Sequence, residues 1–268
     1  MRVFHPAEPF QGLPEENVFI VSDNAGAQQG MGFVVPVYQP EVYPDCPMNL
    51  YMQLDAPMSC RYILFGALLA RSCQIKSQQG HQHLPSRLYT QVAVNDNDGL
   101  QFYCENGFQS DDGEDLVRIS VPLNSTRLPM GCEPAIIPLR DHYEQQAMLQ
   151  RMNCYRISPM NSEFLGQIMQ HPHFLALGIF RGGEIIAETF LSGEGSRVII
   201  HGLYVKAPYR RMGIAKGLLT QALLMMRNEG VTQADALVLR RSIPQAAMAR
   251  TMGAAFIQTT CNYPGINL

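Results

Sequence analysis

Hydrophobic residues occur along this chain in short runs typical of strands and in one longer run with helical spacing. β-branched and aromatic clusters bounded by Gly, Pro, Asn or Asp predict strands. Arg181-Gly182-Gly183-Glu184 predicts a hairpin turn between two of them, because adjacent glycines give the backbone the freedom that a tight turn needs. The predicted strands lie at residues 17–21, 32–38, 88–94 and 116–121 in the first half and at 155–157, 174–180, 184–191, 198–205 and 236–239 in the second.

The helical run covers residues 216–228. Its apolar side chains stand at positions 218, 219, 222, 223, 225 and 226, the spacing of a helix with one buried face. Gly230 suits the cap that ends such a helix. Met225 and Met226 are therefore interpreted as core residues rather than as contacts for a cofactor.

The pattern repeats within the chain. A strand-like run ends in Ala56-Pro57 and leads into an apolar run, and a second one ends in Ala207-Pro208 and leads into the amphipathic helix. The two Ala-Pro pairs are 151 residues apart, and so are Gly66 and Gly217. A fixed spacing across strand, connection and helix indicates a duplication.

A segment rich in Pro and Gly, residues 122–138, separates the two halves, and a polar helix is predicted after it over residues 139–152. We therefore predict two domains, at residues 1–138 and 139–268. The length of 268 residues and the hydrophobic content of 46% are sufficient for two packed cores.

Charge and composition exclude several partners. A formal charge of -3 and a pI near 6.2 give no broad basic field, so neither nucleic acid nor a membrane surface is an expected partner. Met1-Arg2-Val3-Phe4-His5-Pro6 lacks the apolar region of a signal peptide. No apolar stretch approaches the roughly 20 residues that span a bilayer, and we expect a cytoplasmic protein.

Neither disulfides nor a metal site is expected. The seven cysteines are odd in number and include no Cys-x-x-Cys pair, so reduced thiols are the interpretation. His81-Gln82-His83 and His171-Pro172-His173 have metal-like spacing, but neither has a third ligand at a recognisable interval. Ordinary loop histidines are favoured.

The strongest candidate site is Arg210-Arg211-Met212-Gly213-Ile214-Ala215, which follows a predicted strand and opens the amphipathic helix. The first N–H groups of a helix have no internal acceptor, and the helix dipole adds partial positive charge there, so a phosphate binds well. Gly213 lets the backbone approach the anion, and Arg210, Arg211 and Lys206 add charge at the rim. The alternative is a tight turn rimmed by solvated arginines.

Joined to the preceding Leu203-Tyr204-Val205 and to Pro208-Tyr209, this loop resembles the strand and pyrophosphate loop of the GNAT superfamily of acyl-CoA N-acyltransferases. The loop of that family reads Arg/Gln-x-x-Gly-x-Gly/Ala. The resemblance covers about residues 154–260. It implies an α/β layered fold with two tandem GNAT-like domains, each a mixed, largely antiparallel twisted sheet flanked by helices.

The resemblance also implies a cofactor site. Acetyl-CoA is the implied co-substrate, with its pantetheine arm paired to the backbone of one strand and its pyrophosphate held by the loop after it. The strand residues are Leu203, Tyr204 and Val205, and the loop residues are Arg210, Arg211, Met212, Gly213, Ile214, Ala215 and Lys216.

The first half is similar to the family through Asn97, Tyr103 and Gly107-Phe108. In the register of the repeat, however, the positions of Arg210, Gly213 and Ala215 are occupied by Ser59, Tyr62 and Leu64. These residues lack the positive charge of the loop and fill the space that a phosphate needs. We interpret residues 1–138 as a degenerate copy that supports the second domain, dimerises or shapes a substrate cleft. A second active site is the less favoured alternative.

The candidate catalytic residues lie on the cofactor strand and its neighbour. His201 and Glu188 are the candidate bases, and each has a structural alternative: a hydrogen-bonded core histidine and a glutamate that faces water. The tyrosine that usually acts as acid in the family is replaced by Ala249. Substitutes are Tyr204, Ser242, Cys261, Tyr263 or water, and a composite site that uses Tyr103 is a less favoured alternative.

The resemblance implies an N-acetyltransferase that transfers the acetyl group of acetyl-CoA to an amine, which we expect to belong to a small molecule, by direct attack in a ternary complex. One alternative is a non-catalytic module that binds acyl-CoA or a protein on the same fold. Another is an N-acetyltransferase for a protein or peptide. A monomer or a homodimer is expected, without a metal.

Overall fold

The strand-forming runs of the sequence pair into two mixed sheets, one with six strands and one with eight. The computed structural model describes residues 1–78 and 82–268 and divides them into two compact units. The first unit combines Met1–Gly113 with Thr260–Leu268, and the second is Glu114–Thr259. His81, one of the histidines with metal-like spacing, lies outside the described residues.

The elements follow one another in an order that is typical of a layered α/β protein. From the N-terminus they are β1 (Arg2–Phe4), β2 (Val18–Ser22), β3 (Gln28–Tyr38), β4 (Met48–Asp55), α1 (Met58–Gln78), β5 (Ser86–Tyr89), β6 (Val92–Ala93) and α2 (Asn97–Glu105). They continue with β7 (Gly113–Ser120), β8 (Glu133–Ile136), α3 (His142–Asn153), α4 (Ser162–Ile168), β9 (His173–Arg181), β10 (Glu184–Glu194) and β11 (Arg197–Val205). The last are α5 (Ile214–Arg227), β12 (Gln233–Leu239), α6 (Ile243–Thr251), β13 (Ala255–Asn262) and β14 (Gly265–Asn267).

The sheet of the first unit has the order β1-β2-β3-β4-β5-β14, in which β4 and β5 are parallel and the other pairs are antiparallel. Helix α1 packs Leu64 and Leu68 into the core of this unit. β14 joins it from the far end of the sequence by pairing with β5. The buried side chain of Arg87 lies across Gly265 of β14 and forms an ion pair with Asp111. These contacts hold β14 against the sheet.

The strands of the second unit in the eight-stranded sheet lie in the order β13, β7, β12, β11, β10, β9 and β8. β11 and β12 are parallel, whereas β9, β10 and β11 form an antiparallel meander. Helix α5 packs on one face of this sheet through Leu218, Ala222, Leu223 and Met226, so the helical spacing is confirmed. α3 and α4 pack on the other face, where Met148, Met152 and Leu165 form a second core. The two mixed sheets with flanking helices confirm the predicted α/β fold class.

The strand predicted at residues 155–157 is wrong. These residues belong to the connection between α3 and α4. The connection is closed by Asn153, whose side chain donates to the Met160 carbonyl at 3.0 Å and accepts from the Met160 N–H at 2.8 Å. Two bonds between the ends of a short connection hold it as a loop, whatever the β propensity of the residues inside.

The boundaries of the second compact unit, Glu114 and Thr259, differ from the expected domain boundary near residue 138. β7 pairs with β12 from Glu114 opposite Leu239 to Ser120 opposite Gln233, which places residues 114–120 in the second unit. β8 lies in the segment that the sequence presents as a linker and pairs with β9. In the part of the chain that the structure describes, no helix combines the length and apolarity needed to cross a membrane.

Candidate functional site

The sheet of the second unit opens at one place. β11 and β12 pair in parallel only from Arg197 to Ile200, opposite Gln233 to Ala236. Beyond that point β11 continues to Val205, while β12 pairs with β7 as far as Leu239. The diverging ends of β11 and β12 therefore form a V-shaped gap, which we call the splay.

A β-bulge lies where the splay begins. Phe190 of β10 is opposite Gly202 and Leu191 is opposite Ile200, so His201 has no partner residue on β10. An extra residue in one strand bends that strand and increases its twist. The bulge at His201 thus provides a local cause for the divergence of β11 from β12.

Beyond the bulge, β11 directs part of its backbone into the splay. The Lys206 N–H donates to the Ile186 carbonyl at 2.8 Å, and the alternation of a strand then points the backbone groups of Leu203 and Val205 away from β10. The Val205 carbonyl accepts from Tyr155 Oη at 3.1 Å and from Arg210 Nε at 3.1 Å. An extended ligand in the splay would meet these strand groups.

The connection from β11 to α5 has eight residues, 206–213. Two of them are left-handed, Arg211 with φ +61° and Gly213 with φ +79°. The first intrahelical bond of α5 runs from the Gly217 N–H to the Gly213 carbonyl at 3.0 Å, so the N–H groups of Ile214, Ala215 and Lys216 have no acceptor within the helix. A Cβ built on Gly213 would meet no atom within 4 Å. The open space at Gly213, next to these N–H groups, fits an anionic phosphate, as the sequence predicts.

Two cationic side chains of the loop, Arg210 and Lys206, have partners within the unit. Arg210 donates to Tyr155 Oη at 2.6 Å, and its guanidinium lies 5.7 Å from the centre of the same ring. Lys206 forms an exposed ion pair with Glu184, and this bond raises the pKa of the ammonium. Arg211 and Met212 are exposed beside Gly213.

Glu188, the first candidate base, is fully buried on β10. Its carboxylate accepts two hydrogen bonds from Arg151 of α3, at 2.7 and 2.9 Å. Burial raises the pKa of Glu188, and the two bonds from Arg151 oppose that rise. Since both oxygens are engaged, this carboxylate is built into the unit as half of an ion pair rather than exposed to water.

His201, the second candidate base, lies at the bulge and is partly buried. Its Nε2 is 2.7 Å from Ser192 Oγ, and its ring stacks on Phe190 with 5.5 Å between centroids and presents an edge to Phe164. Burial, followed by the charges of Arg156 and His171, lowers the pKa of His201 to about 4. The imidazole is therefore neutral at pH 7 and able to accept a proton, although it is a weak base.

The candidate acids are dispersed. Tyr204 lies directly opposite Glu188, with its ring 5.9 Å from that of Tyr155. Ser242 is buried before α6, and Ala249 occupies the last turn of that helix. The remaining two, Cys261 and Tyr263, are buried in the first unit.

The connection between α3 and α4 is part of the site, which the sequence analysis did not predict. Arg156 donates to the His201 carbonyl at 2.8 Å, and Tyr155 reaches the other end of the same strand at Val205. Gln245 of α6 donates to the Tyr155 carbonyl at 3.2 Å and accepts from the Leu239 N–H at 2.9 Å. The connection is thereby bonded to β11, one arm of the splay, and to α6, the helix that follows the other arm, β12.

The first unit has the strand arrangement without the loop. β4 pairs in parallel with β5 from Met48 to Tyr51 and continues to Asp55, but only Ala56 and Pro57 separate it from α1. Ser59, Tyr62 and Leu64, placed opposite the loop residues by the repeat, lie within α1. Gly66 is the ninth residue of α1 and Gly217 the fourth of α5, so the 151-residue spacing does not join equivalent helix positions. Tyr103 is buried and hydrogen-bonded to Thr90.

The loop, the splay and the amphipathic helix all lie within a segment that a family model recognises. The acetyltransferase (GNAT) family model matches residues 139–253. This segment belongs to the GNAT family. The predicted resemblance is confirmed, and we call residues 139–253 the GNAT domain.

Solved structures extend the likeness to both units. A GCN5-related N-acetyltransferase from Sphaerobacter thermophilus aligns with a TM-score of 0.51 and 16% identity over 96% of this chain and 82% of that chain. One from Anabaena variabilis aligns with a TM-score of 0.53 and 11% identity over 94% of this chain and 63% of that chain. A tandem GNAT protein from the clavulanic acid biosynthesis pathway aligns with a TM-score of 0.47 and 11% identity over 93% and 82%. At these identities the first two alignments show the fold alone. None of the curated proteins matches this sequence.

Proposed function

We propose that the GNAT domain is an N-acetyltransferase that uses acetyl-CoA and acts on the amine of a small molecule. The observation that carries this proposal is the eight-residue connection after β11, which leaves the first N–H groups of α5 without acceptors in the helix and has open space at Gly213. Two left-handed residues, Arg211 and Gly213, turn the chain into the start of α5.

Different residues of this chain are proposed to bind different parts of acetyl-CoA. The N–H groups of Ile214, Ala215 and Lys216, with Arg210 and Arg211, suit the pyrophosphate. The backbone of Leu203 and the N–H of Val205 suit the pantetheine amides, whereas the Val205 carbonyl is engaged by Tyr155 and Arg210. When bound, acetyl-CoA supplies an acyl group activated as a thioester.

In the proposed reaction the amine nitrogen forms a bond to the acyl carbon, the carbon–sulfur bond breaks, and sulfur keeps the electron pair. The nitrogen becomes acidic as its new bond forms, so a weak base suffices to take its proton. We assign this step to His201, because its imidazole is neutral and partly exposed at the start of the splay. Glu188 is engaged by Arg151, and Tyr204 is the phenol proposed to return a proton to sulfur.

A thiol-release assay with acetyl-CoA and pooled primary amines tests the proposal. We expect release that depends on the amine and falls at least tenfold in His201→Gln. Free CoA is best followed by chromatography, because Cys73, Cys104 and Cys154 are exposed and would react with a thiol reagent. Release no faster than hydrolysis without any amine would contradict acetyl transfer.

A non-catalytic acyl-CoA-binding domain is the second candidate. It is favoured by the position of Ala249, which puts a methyl group where the family has its acid, and by the engagement of both Glu188 oxygens. Tight acetyl-CoA binding without amine-dependent release would identify this function. Release only when peptides replace the small amines would indicate a peptide N-acetyltransferase instead.

A further inference from the structure

Tyr155, in the connection between α3 and α4, closes a ring of hydrogen bonds at the end of β11. Its Oη donates to the Val205 carbonyl at 3.1 Å and accepts from Arg210 Nη2 at 2.6 Å. Arg210 Nε donates to the same carbonyl at 3.1 Å, and its guanidinium lies 5.7 Å from the centre of the Tyr155 ring. A phenol can donate one hydrogen bond and also accept, so this hydroxyl serves in both roles. The three groups thereby join the last residue of β11 to the middle of the loop.

The residue after Arg210 has a backbone conformation that needs support. Arg211 is left-handed, with φ +61°, which is uncommon for a residue that has a Cβ. Such a conformation persists only where the surrounding structure holds it. Arg210, Arg211, Met212 and Gly213 are all exposed, so burial does little to fix this part of the loop. The bonds of Arg210 to Tyr155 and Val205 restrain the chain directly before the left-handed turn.

Tyr155 is bonded to the other arm of the splay as well. Gln245 of α6 donates to the Tyr155 carbonyl at 3.2 Å and accepts from the Leu239 N–H at 2.9 Å. Leu239 is the last residue of β12, and Val205 is the last residue of β11. Both lie beyond the residues over which these two strands pair. The side chain and the backbone of Tyr155 thus connect the ends of the two diverging strands.

Building on the proposed function, we propose that Tyr155 is a positioning residue for acetyl-CoA. Through Arg210 it holds the loop between β11 and α5 in the shape that receives the pyrophosphate. A loop that is ordered before the ligand arrives loses less conformational freedom on binding, so the affinity is higher. Tyr155 has no assigned contact with the acyl carbon or the amine. Its loss should therefore raise KM for acetyl-CoA and leave kcat unchanged.

Tyr155→Phe tests this role, because it removes the hydroxyl and keeps the aromatic ring. We expect the affinity for acetyl-CoA in a calorimetric titration to fall by about five- to tenfold, since one of the two lost bonds involves a charged group. KM for acetyl-CoA should rise by a similar factor, with kcat within about twofold of the wild type. Tyr143→Phe is the matched control, because Tyr143 lies on α3 and is 82% exposed. It should bind acetyl-CoA like the wild type.

A double-variant cycle tests whether Tyr155 acts through Arg210. In the background of Arg210→Met the Tyr155 hydroxyl has no guanidinium to hold. Adding Tyr155→Phe there should weaken acetyl-CoA binding by no more than about twofold. If the two substitutions add fully, Tyr155 does not act through Arg210 and the proposal is wrong.

Limited digestion of the ligand-free protein with trypsin measures the restraint on the loop without any acetyl-CoA. Trypsin cleaves after arginine, and Arg210 and Arg211 are exposed. With the cut sites located by mass spectrometry, Tyr155→Phe should be cleaved at these residues at least about threefold faster than the wild type and Tyr143→Phe. Unchanged cleavage would overturn the positioning role, even with weaker binding, because the hydroxyl would then contact the ligand itself.

The binding measurements also separate this proposal from the proposed function. If the wild type binds acetyl-CoA and Tyr155→Phe binds it equally well, only the role of Tyr155 is contradicted. If the wild type does not bind acetyl-CoA, the proposed function is contradicted together with it.

Discussion

The two units build the same local arrangement of strands and then join strand to helix in different ways. In each, a strand pairs in parallel over four residues and then runs on unpaired from that neighbour: β4 beside β5, and β11 beside β12. Two residues lead from β4 to α1, whereas eight lead from β11 to α5. In the short junction Arg61 folds back and donates to the Ala56 carbonyl at 3.2 Å. The difference indicates that strand order alone does not provide the proposed anion site, which needs a connection long enough to expose the start of the helix.

The strands that precede these junctions differ as well. β4 pairs with β3 residue for residue from Met48 to Asp55, whereas β11 leaves His201 unpaired opposite β10. The bulge places an imidazole at the start of the splay, beside Ser192. One unit therefore combines a bent strand with a long loop, and the other combines a regular strand with a two-residue connection.

The largest expected effect concerns the ion pair between Arg151 of α3 and Glu188 of β10. Arg151→Met leaves the carboxylate of Glu188 buried without its partner, which costs about 3–5 kcal/mol of unfolding free energy. Urea unfolding measures this loss, and the double variant Arg151→Met with Glu188→Leu should recover most of it. Arg240→Met is the control, because the more exposed pair with Asp115 contributes about 1 kcal/mol or less. Equal losses of unfolding free energy in Arg151→Met and Arg240→Met would contradict the larger contribution expected from the buried pair.

The next largest expected effect is a dependence of stability on pH, which arises from His201 at the bulge of the second unit. Folding lowers the pKa of His201 from 6.5 to about 4, so the unfolded chain binds the proton first as the pH falls. Stability should be constant above pH 6.5 and decline from there to pH 4, by about 3 kcal/mol in total. His201→Gln should lack this part of the decline in urea unfolding across the same range. Parallel profiles for the two proteins would contradict the lowered pKa.

The smallest effect distinguishes the helices that follow the two junctions. Gly66 is exposed in α1, and a Cβ added to it would meet no atom within 4 Å, so Gly66→Ala should stabilise by about 0.5–1 kcal/mol through helix propensity. A Cβ at Gly217 of α5 would lie 2.5 Å from Leu128 Cδ2. Gly217→Ala gains the same propensity but must displace Leu128, and thermal unfolding should show no net gain. Equal gains would indicate that the two glycines are interchangeable after all.

The features that the sequence predicted are local. The loop at residues 210–215 is recognisable because its glycine and arginines stand between a strand run and an amphipathic helix, and the structure places them at that junction. Whether these residues hold acetyl-CoA stays a prediction.

The features that were missed depend on pairing between distant segments. β7 joins β12 across more than a hundred residues, and Glu188 finds Arg151 on a different element. Tyr155 has the propensity of a strand residue but is held in a loop by bonds between Asn153 and Met160. No spacing within the sequence encodes these contacts, because they form only when separate elements pack.

Calorimetric titration of acetyl-CoA into the wild-type protein, Gly213→Glu and Gly230→Glu tests most directly whether the long junction is the acyl-CoA site. Both glycines are left-handed, with φ +79° and +94°, and both have open space around a Cβ, so the two substitutions impose similar strain at opposite ends of α5. We predict that Gly230→Glu binds like the wild type and that Gly213→Glu binds at least about 100-fold more weakly, because its carboxylate meets the pyrophosphate. Equal affinity in the two variants would contradict the assignment of the loop.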